Sequence, residues 1–321
     1  MSRRSLRRGL VVILGCITIA ALLAAALAAP LHQGTTTMAL LRDRLFTLPQ
    51  YLIPQHGLSR LVGSLADSRT PWIKDTFITH FAERYQVDMS EAAEPNLAAY
   101  ESFNAFFTRA LKPNARPLDS RPDSILSPAD GAVSQLGPIE QDQIFQAKGH
   151  SYSLSDLLAS ETDASAYIGG QFATVYLSPR DYHRVHMPIA GRLTKSVYVP
   201  GELFSVNTRT AENVPNLFAR NERLVAHFDT ALGPMVVVLV GAMIVASIET
   251  VWGGVEPIGN DIRSREFPEG QQITLNRGAE LGRFRLGSTA IVLFGPDVMT
   301  WDERYAAGTP TRMGERLGIA R

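Results

Sequence analysis

The spacing of apolar residues changes from about four to about two at Lys112-Pro113, and nothing else in the chain restricts its fold as much. Upstream, over 39–110, the spacing is helical, and Pro49, Pro54 and Gly57 cut it into short pieces rather than one long helix. Downstream, β-branched runs at 172–177, 193–199, 224–228, 235–240, 244–251 and 289–294 are bounded by breakers such as Pro188, Pro200-Gly201, Gly233-Pro234 and Gly253-Gly254. The chain is therefore predicted to be α+β, with N-terminal helices followed by a β-rich body. Residues 257–270, charged and without period, are expected to form a mobile loop. The 321 residues, 45% of them apolar, hold material for about two domains and a sizeable core, which excludes disorder as the dominant state.

Charge and cysteine content exclude further classes. The 31 Lys and Arg balance 31 Asp and Glu, so there is no electrostatic case for a nucleic-acid partner. The single cysteine, Cys16, excludes an internal disulfide framework and any zinc site that needs two thiolates. Residues 1–37 read as an N-terminal extension built around an uncharged, apolar run at 9–31. As a helix, those 23 residues reach about 35 Å, enough for a hydrocarbon core of about 30 Å. Arg3, Arg4, Arg7 and Arg8 precede the run and only Arg42 and Arg44 follow closely, a bias that puts the N-terminus in the cytoplasm and the body outside. Two other readings stay open. One is a signal peptide cleaved near Ala28-Ala29-Pro30; the other is a start at Met38 that makes 1–37 an upstream extension.

Region 38–111 is helical and rich in bulky apolar residues. Thr70-Pro71 opens a helix with a capping residue and proline at the first position, and Ile73, Phe77, Phe81 and Tyr85 recur every four residues on one face. Packing on the protein's own core is the plain account of that stripe. Leu45, Phe46, Leu48, Tyr51, Leu52, Ile53, Trp72 and Phe77 supply enough apolar surface for docking into a bilayer interface to compete with it. A third short helix over 103–109 carries Phe103, Phe106 and Phe107.

Three segments in the β-rich part hold polar residues that packing does not require: Ser127-Pro128-Ala129-Asp130-Gly131, Tyr182-His183-Arg184-Val185-His186-Met187-Pro188 and Leu286-Gly287-Ser288-Thr289. Taken singly, Asp before Gly is usually a turn, two histidines three apart lack a third zinc ligand, and Gly-Ser-Thr is usually a bulge. Together, Asp130, His186 and Ser288 supply an orienting carboxylate, a base and a nucleophile. A membrane-bound serine hydrolase, a non-catalytic membrane scaffold and a metal site on His183 and His186 remain alternatives. No Gly-x-Ser-x-Gly elbow surrounds Ser288, which argues against an ordinary hydrolase.

Six stretches, in order, resemble the successive motifs of the bacterial, pyruvoyl-dependent phosphatidylserine decarboxylase proenzyme family. They are the three above with Phe103-Asn104-Ala105-Phe106-Phe107-Thr108-Arg109, Gly201-Glu202-Leu203-Phe204-Ser205-Val206-Asn207 and Asn216-Leu217-Phe218-Ala219-Arg220-Asn221-Glu222-Arg223. The likeness runs from about Ala39 to Phe294; the segment before Met38 departs from it. The resemblance implies self-cleavage between Gly287 and Ser288, giving a beta chain 1–287 and an alpha chain 288–321, with Ser288 converted to a covalent pyruvoyl cofactor and no metal. It implies that Asp130 orients His186, that His186 deprotonates Ser288, and that the alkoxide attacks the Gly287 carbonyl. His183 is assigned to the substrate or to the returning proton. The ketone would form a Schiff base with phosphatidylserine, release carbon dioxide and yield phosphatidylethanolamine. On this reading 112–321 is the catalytic domain and 38–111 is membrane-associated. The partners are phosphatidylserine in the bilayer, the membrane, and the two chains of one proenzyme; a homo-oligomer stays open. The enzyme is expected at the inner cell membrane, peripheral or single-anchored, with its body in the cytoplasm. The arginine bias says the reverse unless translation starts at Met38 or 9–31 lies in one leaflet.

Overall fold

A computed structural model describes residues 46–243, 247–285 and 288–321. The run at 9–31 and Gly287 lie outside the described residues, and among those described no helix is long and apolar enough to cross a membrane. Contacts divide the chain into units 1–53 and 54–321. The second unit begins with helices α1 (Gln55–Ala66), α2 (Pro71–Tyr85) and α3 (Phe103–Phe107). Pro71 opens α2 as expected, since its missing N–H would have no partner there, but the Thr70 side chain makes no capping bond. Ser102 does cap α3, its hydroxyl accepting from Ala105 N at 3.2 Å. That helix stops two residues short of Arg109; the Thr108 hydroxyl donates back to the Asn104 carbonyl at 2.7 Å.

The aromatic stripe of α2 is largely core. Phe77 stacks on Phe103 at 4.1 Å, and Phe81 meets the edges of Phe103 and Phe107 at 5.0 and 5.8 Å. Such pairs add about 0.5–1.5 kcal/mol each beyond the burial itself. Trp72 and Leu61 remain exposed on α2 and α1.

The main strands are β1 (Gly131–Pro138), β2 (Gln171–Leu177), β3 (Arg184–His186), β4 (Gly191–Val199), β5 (Arg223–Thr230), β6 (Gly233–Val240), β7 (Ser247–Thr250), β8 (Arg263–Glu266), β9 (Glu280–Arg285) and β10 (Ser288–Phe294). A large antiparallel sheet runs β8-β4-β5-β6-β10-β2-β1, and a smaller one runs β7-β9-β3. Six of the predicted runs are thus strands, although the run at 244–251 is described only from Ser247. The loop expected over 257–270 instead contributes β8, paired with β4. Its alternating charges suit an edge strand, and Arg263 lays its guanidinium 4.0 Å from the centre of the Tyr198 ring.

All seven residues of β10 are buried, because it lies between β6 and β2 with covered faces on both sides. Its alternation feeds two cores: Ile291 and Leu293 join one with Leu157 and Phe218, while Ala290, Val292 and Phe294 join another with Val185, Ile248 and Phe284 of the smaller sheet. Gly131 begins β1 at φ 152°, and a Cβ there would sit 2.1 Å from the Tyr176 carbonyl oxygen of β2. Only glycine permits that approach.

Candidate active site

Ser288 opens β10 opposite Leu177, the last residue of β2. Strand alternation places it on the side of Ala290 and Val292, in the layer between the two sheets. It has no exposed surface, and its hydroxyl has no hydrogen-bond partner among the described residues. An unbonded buried hydroxyl costs about 1–3 kcal/mol, a cost that the Ser59, Ser124 and Thr289 hydroxyls also carry; Ser288 differs in following Gly287 directly at the head of β10.

Both predicted histidines stand beside the turn that leaves β2. The Asp181 carboxylate closes that turn by accepting Ser178 N at 2.7 Å and Ser178 Oγ at 2.6 Å. His183 Nδ1 donates to the Asp181 carbonyl at 2.8 Å, and His186 Nδ1 donates to the Gly278 carbonyl at 2.9 Å. A carbonyl accepts only, so both rings carry their proton on Nδ1 and present a lone pair at Nε2. The His186 lone pair is taken by the Tyr182 hydroxyl at 3.0 Å, whereas that of His183 is buried without a partner. The His183 ring lies 3.9 Å from the Phe107 ring, centre to centre, and burial pushes its pKa down to about 3. Burial lowers the His186 pKa as well; the Gly278 bond and the charges of Glu280 and Asp130 oppose it less strongly. Both imidazoles are therefore neutral at cellular pH. Alternation puts His183 with Val185 and Met187 toward the inter-sheet layer and His186 with Arg184 on the other side. Residues so placed do not converge on one ion, and among the described residues no group of three or more His, Cys, Asp or Glu could hold a metal.

Asp130 is not bonded to His186, contrary to the expected triad. It accepts Arg116 Nε at 2.9 and 3.0 Å, Arg116 Nη2 at 2.5 Å and the Met313 N–H at 2.9 Å. A charged, forked guanidinium competes better for a buried carboxylate than a neutral imidazole does. Arg116 also bonds Glu91 at 2.7 Å, and Glu91 takes Arg312 at 3.2 Å. Sequence reasoning passed over Arg116, Glu91, Tyr182 as a partner, and Gly278. Arg116 sits in Lys-Pro-Asn-Ala-Arg-Pro, which reads as a loop, and nothing local signals its carboxylate partner.

In the uncut chain the electrophile always beside this serine is the carbonyl of its own preceding peptide bond. The family model for phosphatidylserine decarboxylase matches residues 103–319, and a second, PSD, matches 45–86. Phosphatidylserine decarboxylase proenzymes of Pseudomonas putida (strain W619) and Pseudomonas aeruginosa (strain LESB58) are both 62% identical, each over 87% of this chain and over 99% and 98% of their own length. The Pseudomonas fluorescens (strain Pf0-1) protein of that name is 61% identical over 86% of this chain and 98% of its own. The chain belongs to the phosphatidylserine decarboxylase family.

Proposed function

We propose that this chain is a proenzyme that cuts itself between Gly287 and Ser288 and decarboxylates phosphatidylserine to phosphatidylethanolamine. Family membership supports the substrate and the reaction. The observation that carries the cut is the fully buried, unpartnered hydroxyl of Ser288. Ser288 Oγ loses its proton to an imidazole and attacks the Gly287 carbonyl, moving the acyl group from nitrogen to oxygen. Loss of the Gly287 carboxylate by elimination, and then of ammonia by hydrolysis, leaves a pyruvoyl group at 288. A pyruvoyl group at 288 would supply a ketone able to condense with the substrate amine, with loss of water, and the imine so made would be the electron sink for decarboxylation. The surrounding residues fit that chemistry, because a dry apolar layer disfavours the substrate carboxylate relative to neutral carbon dioxide.

His186 is proposed as the base for the cut, with the buried charge of Asp130 favouring its protonated form. His183 then serves the substrate or returns the proton to the carbon that lost the carboxylate. A second reading exchanges the two, favoured by the free Nε2 of His183 and by its place toward the inter-sheet layer that holds Ser288, whereas His186 faces the other side. Alanine variants separate them: the base variant accumulates uncut chain, since general-base help is typically worth about 10² to 10⁴-fold. Full maturation of His186→Ala beside an uncut His183→Ala would select the second reading.

The substrate also supports a membrane-bound enzyme, because drawing acyl chains from lipid costs about 0.8 kcal/mol per CH₂. Exposed Leu61 and Trp72 would enter the interface, and the catalytic body is proposed to lie at the cytoplasmic face of the inner membrane. Digestion of the body by protease in intact spheroplasts would sink that placement.

A denaturing gel tests the central proposal. Wild-type protein runs as pieces 1–287 and 288–321, the smaller without a free amine, and Ser288→Ala stays whole. An intact wild-type chain with full activity would refute the cut.

A further inference from the structure

Resting on the reading that residue 288 reacts with the substrate amine, we propose that Arg109 binds the phosphodiester of the lipid headgroup, in a cavity beside the histidine turn. The cavity, about 440 Å³, is lined by Tyr100, Thr108, Arg109, Arg184 and Arg283 together with the carboxylates of Glu94 and Glu101. Its arginines are not equivalent. Arg184 and Arg283 both donate to the Glu280 carboxylate, each at 2.8 Å. Arg109 is in no ion pair among the described residues, and its guanidinium lies 5.7 Å from the centre of the Phe106 ring. Its Nη2 donates to the carbonyl oxygens of Arg180 and Asp181 at 3.0 and 3.4 Å, while Nε and Nη1 have no partner among the described residues. The residue is nonetheless only 4% exposed.

A guanidinium keeps its charge at cellular pH, and a buried one requires an anion or a full set of acceptors. The unpartnered Nε–H and Nη1–H lie on different edges of the planar group, and each is a donor that a phosphate oxygen can satisfy. The acidic residues of the cavity are engaged elsewhere: Glu101 pairs with Arg69 at 3.2 Å, and Glu94 Oε1 accepts Asn96 N at 2.8 Å. An anion is the missing partner.

The position of Arg109 says which anion. The Asp181 carbonyl accepts both Arg109 Nη2 and His183 Nδ1, so guanidinium and imidazole are one carbonyl apart. The turn they share leaves β2 at Leu177, the cross-strand partner of Ser288. In a serine headgroup only Cα, Cβ and one ester oxygen separate the amine from the phosphorus, a span that fits adjacent subsites. The reacting carboxylate is a poor occupant, because an arginine would stabilise the charge that the reaction must discharge.

Calorimetric titration of the whole Ser288→Ala chain tests the site apart from catalysis. Glycerophosphoserine is expected to bind, serine to bind at least tenfold more weakly, and Arg109→Gln in the same background to weaken glycerophosphoserine tenfold or more. Equal binding with and without Arg109→Gln would overturn the proposal. Inorganic phosphate binding as tightly, with the same dependence on Arg109, would assign the pocket to free phosphate and overturn the headgroup reading. Since a buried glutamine can disturb the turn, a second arm uses the wild-type, self-cleaved enzyme. Glycerophosphoethanolamine should raise the apparent KM for micellar phosphatidylserine without changing kcat, and absence of competition counts against the site. A wild-type chain that a gel finds uncut defeats the pyruvoyl reading alone, leaving the titration to judge Arg109.

Discussion

Two buried imidazoles make the stability of this protein depend on pH. Burial pushes His183 to about 3 and His227 to about 4, from an ordinary 6.5. Between those values and 6.5 the unfolded chain holds protons that the folded chain does not. Stability is therefore fully present above 6.5 and is lost as pH falls toward 3, by up to about 1.4 kcal/mol per pH unit for each group. Urea midpoints at pH 7 and pH 5 should show the drop, and His227→Phe, away from the histidine turn, should reduce it; a flat profile would contradict the burial of both rings. Arg116 sets the second residue-scale prediction. Arg116→Gln leaves Asp130 as a buried carboxylate without its cation, a change that typically costs about 3–5 kcal/mol. A lower Tm and slower appearance of the 288–321 piece should follow, with Arg116→Lys recovering less than full rate because lysine lacks the fork.

The helices before Lys112 divide into an inner and an outer surface, and substitutions should separate them. Phe103 is fully buried against Phe77 and Phe81, so Phe103→Ala should cost about 3–5 kcal/mol in denaturant melts. Trp72→Ser, on the exposed side of α2, should move stability by no more than about 0.5 kcal/mol. The same substitution should lower sedimentation with anionic vesicles, and unchanged sedimentation would remove Trp72 from the membrane contact. The stripe of α2 was legible from its four-residue spacing, but not its destination. Periodicity marks an apolar face; whether lipid or phenylalanine rings cover it depends on α3, which lies some twenty residues further along the chain.

At the scale of the folded unit 54–321, the cut should not separate the pieces. Strand β10 lies between β6 and β2, and the strand Arg316–Ala320 pairs with Ser124–Leu126 on the other side of the cut. Met313 N–H also bonds Asp130. The two chains should co-elute on size exclusion and part only in denaturant; early loss of the 288–321 piece would contradict the strand order. The α+β division, the positions of six strands and a serine at the head of an apolar run follow from the sequence alone, because two- and four-residue periodicities are local properties; the strands Gly131–Pro138 and Glu280–Arg285 were not among the runs it marked. Which partner claims Asp130, which imidazole keeps a free lone pair, and that 263–266 pairs as an edge strand were decided by tertiary structure. Charges distant in sequence compete for one another at buried sites, and the winner depends on distance, geometry and lost solvent, none of which the order of residues states.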